Sequence, residues 1–440
     1  MGEIVGGVIR TLPLYEAFDC TGCGQCCRDW RIVVDRTAWE GAVALLESGD
    51  HPGRVEATGA FDMLESPTEE AFATLRTRED GTCVFLDPDN LCYWHRHFGY
   101  ETKGWVCRAF PNTTYKTPTS TTVTGTLSCR PMVEMMRDRF SAPMSFVEVT
   151  EGFGAALERP RWTVLPRGAI WLQGDALLDG AAIDDVQASL LEILGVEGLS
   201  LGVRLRMCRA WLARLEAAGG EGPSVGAERV VGLWASFEVE ATQVAIEAIE
   251  ARGHWGLMTR ATRALFARMA RVGMPRRRAE PFAQWIEALG LDAPPELVEL
   301  RLRKLHAARF APHLDELEGL LGAYASHRIV SSHALPVGGI VPMMTEVMIS
   351  VLLVWAVAVA MAEAGDRGVD ADTLADAIHA VDLIFFHAPV FEAFFSAEAG
   401  LSSIHAEAFA ASLTVMLCDP AILEDSIARS NQEGGVRAEG

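Results

Sequence analysis

Ten cysteines are placed so unevenly along these 440 residues that their distribution constrains the fold more than any other feature. Eight of them (Cys20, Cys23, Cys26, Cys27, Cys83, Cys92, Cys107 and Cys129) fall in the first 129 positions, and the rest of the chain holds only Cys208 and Cys418. The Met1–Arg10 start has no positive n-region, no long apolar run and no cleavage site, so no secretory signal is visible and a cytoplasmic location is expected. In a reducing compartment a dense cysteine framework reads as metal-binding or redox rather than as disulfides.

The densest part is Cys20-Thr21-Gly22-Cys23-Gly24-Gln25-Cys26-Cys27. Two-residue gaps let a loop turn its sulfurs toward one centre, and glycine permits the sharp turns this needs. Thiolates are soft ligands that select zinc or iron–sulfur clusters over magnesium or calcium. A lone cysteine is most often a small buried hydrophobe, but four in eight positions are poorly explained that way. Cys83, Cys92, Cys107 and Cys129 extend the same logic. Eight thiolates suffice for two four-ligand sites, or for one cluster plus a zinc or spare thiols. The candidate ligands are therefore all eight, with a 4Fe–4S cluster or zinc as the expected cofactor. His95 and His97 lie near Cys92, where each is either a further ligand or a solvent-facing aromatic.

The coarse pattern is α+β: a small, irregular, cysteine-rich metal-binding module over 1–150, a mainly α-helical domain over 151–423, and a polar tail over 424–440 that is expected to be disordered. Arg31–Asp35 reads as a strand and Thr37–Leu46 as a short helix capped by Thr37. Asp87-Pro88-Asp89-Asn90 reads as a turn between Cys83–Leu86 and Leu91–Trp94, and Thr113–Cys129 as a polar hairpin. Beyond about residue 160 the period becomes helical. Leu201, Leu205, Cys208, Leu212 and Leu215 share one face, and helices are expected over 229–251, 259–272 and 297–321, with Ala217–Glu228 as a linker. Asp370 or Asp372 caps the helix carrying Leu374, Ile378 and Val381. Val347–Ala362 has no charge in sixteen residues, short of the ~20 that a membrane span requires, so it reads as the core helix of a bundle and no span is expected.

The motif Cys20–Cys27 resembles the CxxCxxCC signature of zinc- or iron-chelating cysteine-cluster proteins. The likeness continues through Cys83-Val84-Phe85-Leu86, Leu91-Cys92, His95, Gly99, Cys107-Arg108-Ala109-Phe110-Pro111 and Leu127-Ser128-Cys129-Arg130-Pro131. This longer pattern is similar to the flagellin lysine N-methylase branch of that group, with looser echoes in the Arg204–Leu215 helix, Tyr324 near His327, and His387. The resemblance implies an iron–sulfur cluster, S-adenosylmethionine as methyl donor, and a lysine-bearing protein as substrate.

The residues themselves do not spell out methyl transfer. HExxH and GxxxxGK[ST] are absent, and the nearest approach to a nucleotide fingerprint is Phe146–Thr150 followed by Gly152-Phe153-Gly154, half of the pattern and more simply a linking turn. A lysine methylase must deprotonate its target ammonium, which requires a carboxylate, tyrosine or histidine within hydrogen-bond reach. Glu346, Tyr324, His327, His333 and His387 qualify by type. Residues in apolar helices more often serve as hydrogen-bonded core groups, so no catalytic residue is assigned. Cys208 and Cys418 read as core thiols. A net charge of −21 repels phosphate backbones, so nucleic acid is not an expected partner. Against that total, Arg260, Arg263, Arg268 and Arg271 followed by Arg276-Arg277-Arg278 form a basic face, either a dock for an acidic partner or, more commonly, a solvated helix surface. The alternatives to a methylase are a non-catalytic zinc- or cluster-stabilised interaction module and an electron-transfer protein.

Overall fold

The computed structural model describes residues 8–28, 30–52, 55–150, 152–158, 162–163, 168–173, 176–219, 224–250, 255–271, 276–386, 413 and 417. A strand-containing N-terminal region precedes a long helical succession, the α+β order expected. In chain order the strands are β1 Val8–Thr11, β2 Val33–Val34, β3 Phe61–Met63, β4 Ala73–Leu75, β5 Asn112–Lys116, β6 Ser120–Gly125, β7 Val147–Val149, β8 Trp162–Thr163, β9 Ala169–Gln173 and β10 Ala176–Asp179. They form a five-stranded mixed sheet in the order β7-β1-β6-β5-β8, a three-stranded sheet β2-β4-β3 and the β9–β10 pair.

The threonine-rich hairpin β5–β6 pairs antiparallel with Thr114 opposite Val123, and its Thr114, Thr122 and Thr124 are buried. Branched Cβ atoms suit the pleated backbone, and each hydroxyl finds a partner when covered. The Thr114 hydroxyl, for example, donates to the Ala156 carbonyl at 2.8 Å. The half-fingerprint does not build a nucleotide site. β7 is an antiparallel edge strand on β1, and the helix after Gly152-Phe153-Gly154 is only Gly154–Glu158.

Among the described residues two large apolar cores stand beside a minor cluster of Ala109, Ala155 and Ala156. The smaller of the two cores runs from Val34 to Trp94 and includes Phe61, Phe85 and Tyr93. The larger takes in Leu12, Tyr15, Leu127 and Met132 together with the helical body, so it crosses position 150. Ion pairs Arg130–Asp376 and Arg137–Asp372 fasten helix Arg130–Arg139 to helix Ala371–Val381. Arg10 joins β1 to helix Ile183–Leu194 through Asp184 at 2.7 Å and Gln187 at 2.9 Å.

Helix ends follow local chemistry. The first long helix is Arg36–Glu47, and its cap is Asp35 rather than Thr37, because the extended Asp35 backbone lets its carboxylate accept from Ala38 N–H at 3.0 Å. Asp370 caps Ala371–Val381, accepting from Thr373 N–H at 2.7 Å. The helix expected over 297–321 is two, Pro295–Leu305 and Leu314–Ser331, joined by a π turn His306–Phe310 and a 3-10 turn Ala311–His313. Pro312 removes an N–H and crowds the preceding turn, which the apolar period does not register. The uncharged stretch lies in helix Ile340–Ala364, which packs against Ala371–Val381, Arg276–Leu289 and Leu314–Ser331. Among the described residues it is the helix long and apolar enough to cross a membrane, and it is buried in the body along most of its length.

Candidate metal centre and the adjoining cavity

The Cys20–Cys27 loop is shaped by two glycines with positive φ, Gly22 at 67° and Gly24 at 71°. Gly24 also lies so close to the 86–91 turn that a Cβ there would stand 3.0 Å from Asn90 Cβ, so neither its backbone nor its surroundings admit a side chain. A 3-10 turn over Gln25–Cys27 follows and brings the Cys26 and Cys27 sulfurs to 3.9 Å. The chain then pairs with the second cysteine segment: Cys83 N–H donates to Cys27 O at 2.8 Å, and Arg28 donates to Asn90 Oδ1 at 2.8 Å. The proposed turn exists, with Asn90 N–H donating to Asp87 O and Leu86 bridging Cys92, but helix Tyr93–Phe98 replaces a second strand. Cys107 comes from helix Trp105–Ala109 and Cys129 from the residue before helix Arg130–Arg139.

The nine described cysteines are free thiols. Cys20 and Cys23 are exposed, Cys26, Cys27, Cys92 and Cys107 half-buried, and Cys83 and Cys129 buried. Burial pushes the thiols of Cys107 and Cys129 up to about 12 and that of Cys83 to about 11. In the close pair, the hydrogen bond from Cys27 lowers Cys26 to about 7, while Cys27 is displaced upward. Lys103 supplies positive charge beside Cys92, Cys107, Cys27 and Cys26. Among the described residues no three His, Cys, Asp or Glu side chains already surround one metal-sized point. The donor set nevertheless fits zinc or iron: eight unbridged soft sulfurs gathered in one region, with a counter-cation. His95 and His97 are exposed and lie against the rings of Tyr100 and Tyr93, the solvent-facing alternative for both.

Comparison with known families meets this geometry. Residues 19–129 match the CxxCxxCC family, described as "Putative zinc- or iron-chelating domain". This region is similar to that domain. The match supports zinc or iron chelation, does not extend into the helical body, and does not reach the methylase branch. No curated protein and no solved structure matches the chain.

Against this domain lies a cavity of about 190 Å³. Its lining is apolar at Trp105, Val106 and Ala109 of the Cys107 helix and polar at Arg328, Ser331, His333 and Asp382. Asn112 also lines it, and among the described residues its buried Oδ1 has no hydrogen-bond partner. Asp382 opens a π turn, Asp382–Phe386, and accepts from the Thr126 hydroxyl at 2.6 Å and Ser128 N–H at 2.7 Å. Arg328 pairs with Glu346 and stands 3.5 Å from Asp382. Burial would raise Glu346, but Arg328, His333 and Ser332 outweigh it and hold the carboxyl at about 2.

The candidates chosen by residue type separate here. His333 lines the cavity. Glu346 pairs with Arg328 and is not among the lining residues. His327 is wholly buried, bonded to the Tyr15 hydroxyl and, at 3.0 Å, to Ser331, and burial together with Arg328 lowers it to about 3. Tyr324 stacks on His327, buried, and desolvation raises its phenol. His387 and Cys418 lie outside the described residues, while Cys208 is the core thiol expected. Arg328, Ser331, Asp382 and Asn112 were missed; the one available signal was a charge interrupting an apolar helical face. The basic face divides too. Arg260, Arg268 and Arg271 are exposed, whereas Arg278 donates to Leu383 O at 3.2 Å and stacks its guanidinium 5.0 Å from the Trp30 ring, tying body to module.

Proposed function

We propose that the N-terminal domain binds zinc or an iron–sulfur cluster through Cys20, Cys23, Cys26, Cys27, Cys83, Cys92, Cys107 and Cys129. We further propose that the protein uses S-adenosylmethionine to methylate a lysine of a protein substrate. The observation that carries the first part is the gathering of all eight thiols, from five separate chain segments, into one region beside a lysine. Bound metal would cross-link those segments, and a cluster would add a redox store.

The second part rests on the family likeness and is supported by the cavity. Its volume is below the ~300–1,000 Å³ of pockets for whole small molecules, so it suits a single side chain better than a nucleoside-sized donor. A lysine entering along the Trp105 wall would place its nitrogen among Asn112, Ser331, His333 and Asp382. Glu346 offsets the Arg328 cation, so the Asp382 carboxylate would attract the lysine ammonium, and Asp382 or His333 would have to take its proton before transfer. The test is anaerobic purification with iron, sulfide and zinc analysis, then incubation with methyl-labelled donor and lysine-bearing proteins. Label on lysine, lost in His333→Ala, supports methylation. Metal without transfer leaves a metal-stabilised interaction module, and protein that takes up no metal overturns both parts.

A further inference from the structure

Cys26 and Cys27 are consecutive in a 3-10 turn, where successive side chains diverge by about a third of a turn. Their surroundings diverge as well. Cys27 packs against the small apolar core, together with Cys83, Cys92 and Cys107. Cys129 belongs instead to the large core, while Cys20, Cys23 and Cys26 belong to neither.

Electrostatic neighbours follow the same division except at Cys26, which lies beside Cys27, Cys83 and Cys107 as well as Cys129. Cys129 is within reach of Cys23, Cys26 and Cys20; Cys107 is within reach of Cys83 and Cys92, and Cys27 of Cys83 and Cys92. Cys26, at the border, is felt by both sets. The backbone bond from Cys83 to Cys27 and the bridge from Leu86 to Cys92 hold the second group together.

From these placements we propose that the eight cysteines form two separate four-thiolate centres. The outer one comprises Cys20, Cys23, Cys26 and Cys129, and the inner one Cys27, Cys83, Cys92 and Cys107. The proposal rests on the chelation reading above and adds the partition of ligands. The outer set has three thiols at two-residue gaps with a distant fourth, the spacing of cluster-binding loops, and it opens toward solvent. The inner set is walled by Phe85, Tyr93 and Trp94 and has every ligand supplied by protein, the character of a closed structural site. Lys103 faces the inner set, where four thiolates around zinc leave excess negative charge to offset. Cys129 gives the outer centre a second role, because it anchors the exposed loop to the core of the helical body.

The partition is read by metal content in the full chain. Wild-type protein and the variants Cys20→Ser, Cys129→Ser, Cys92→Ser and Cys107→Ser are purified anaerobically. Each is assayed for iron, acid-labile sulfide and zinc, with X-ray absorption at the metal edges. Wild type is expected to show all-sulfur coordination and two centres. Cys20→Ser and Cys129→Ser abolish one centre and spare the other, while Cys92→Ser and Cys107→Ser do the reverse, each removing one of the two signatures. Cys20 is exposed, so its variant reports even if inner substitutions unfold the module. If Cys20→Ser and Cys92→Ser remove the same metal, or wild type holds a single centre, the partition is wrong although chelation stands. Wild type that takes up no metal overturns the chelation reading itself.

Discussion

His306 makes the fold's response to acid predictable. It sits in the π turn, buried among Trp255, Trp355 and Phe310, with ring centroids 5.2, 6.1 and 5.7 Å away. Trp355 Nε1 donates to its Nδ1 at 3.3 Å, and among the described residues Nε2 has no partner. Burial lowers its pKa from 6.5 to about 4. The folded protein therefore refuses a proton that the unfolded chain accepts. The stabilisation of the neutral ring is complete above pH 6.5, erodes as pH falls toward 4, and is exhausted below that. The slope in that window is about 1.4 kcal/mol per pH unit, and the whole penalty is of order 3 kcal/mol. His306→Phe keeps the ring, loses the Trp355 bond at about 1 kcal/mol, and removes the titration. Urea unfolding followed by far-UV circular dichroism at pH 7 and pH 5 should find wild type more stable at pH 7. The difference should shift toward the variant by about 2 kcal/mol at pH 5. Metal loss and the titration of His327 occur in both proteins and cancel. A difference that stays constant between the two pH values would refute the reasoning.

Three further outcomes follow from the packing. Arg328→Leu leaves Glu346 and Asp382 buried without their shared cation and should cost about 3–5 kcal/mol; the double variant Arg328→Leu/Glu346→Leu should cost less, which a double-mutant cycle in urea would read. Asp35→Ala should destabilise by about 1 kcal/mol through loss of its cap, while Thr37→Ala should change stability by under about 0.5 kcal/mol, and thermal melts of the pair distinguish them. Gly24→Ala forces a positive-φ backbone and a contact with Asn90, so it should cost about 1–2 kcal/mol and lower metal content, measured as metal per chain after anaerobic purification.

What was legible in the sequence was what residue type and short spacing encode. Thiols at two-residue gaps with intervening glycines announce a ligand loop, because few other demands place four cysteines in eight positions. Apolar period located the helix carrying Leu201 to Leu215 and the buried stretch within Ile340–Ala364. Local competition was harder to read. Asp35 and Thr37 are both acceptable caps, and only the backbone geometry decides between them. Pro312 breaks a period that continues on either side of it. The cavity was the least legible, since Thr126 and Asp382, now joined by a hydrogen bond, are 256 positions apart. No local pattern encodes such a meeting. Yet each of its polar residues violates a rule readable in one dimension: Arg328 is a charge inside an apolar helix, and Asp382 follows directly on the apolar run ending at Val381. Burying such groups costs several kcal/mol unless they are paired, so a fold that keeps them must also bring their partners to them. Violations of this kind, taken together across a sequence, point to residues that meet in space, and here they meet around a cavity that the helix carrying Cys107 also lines.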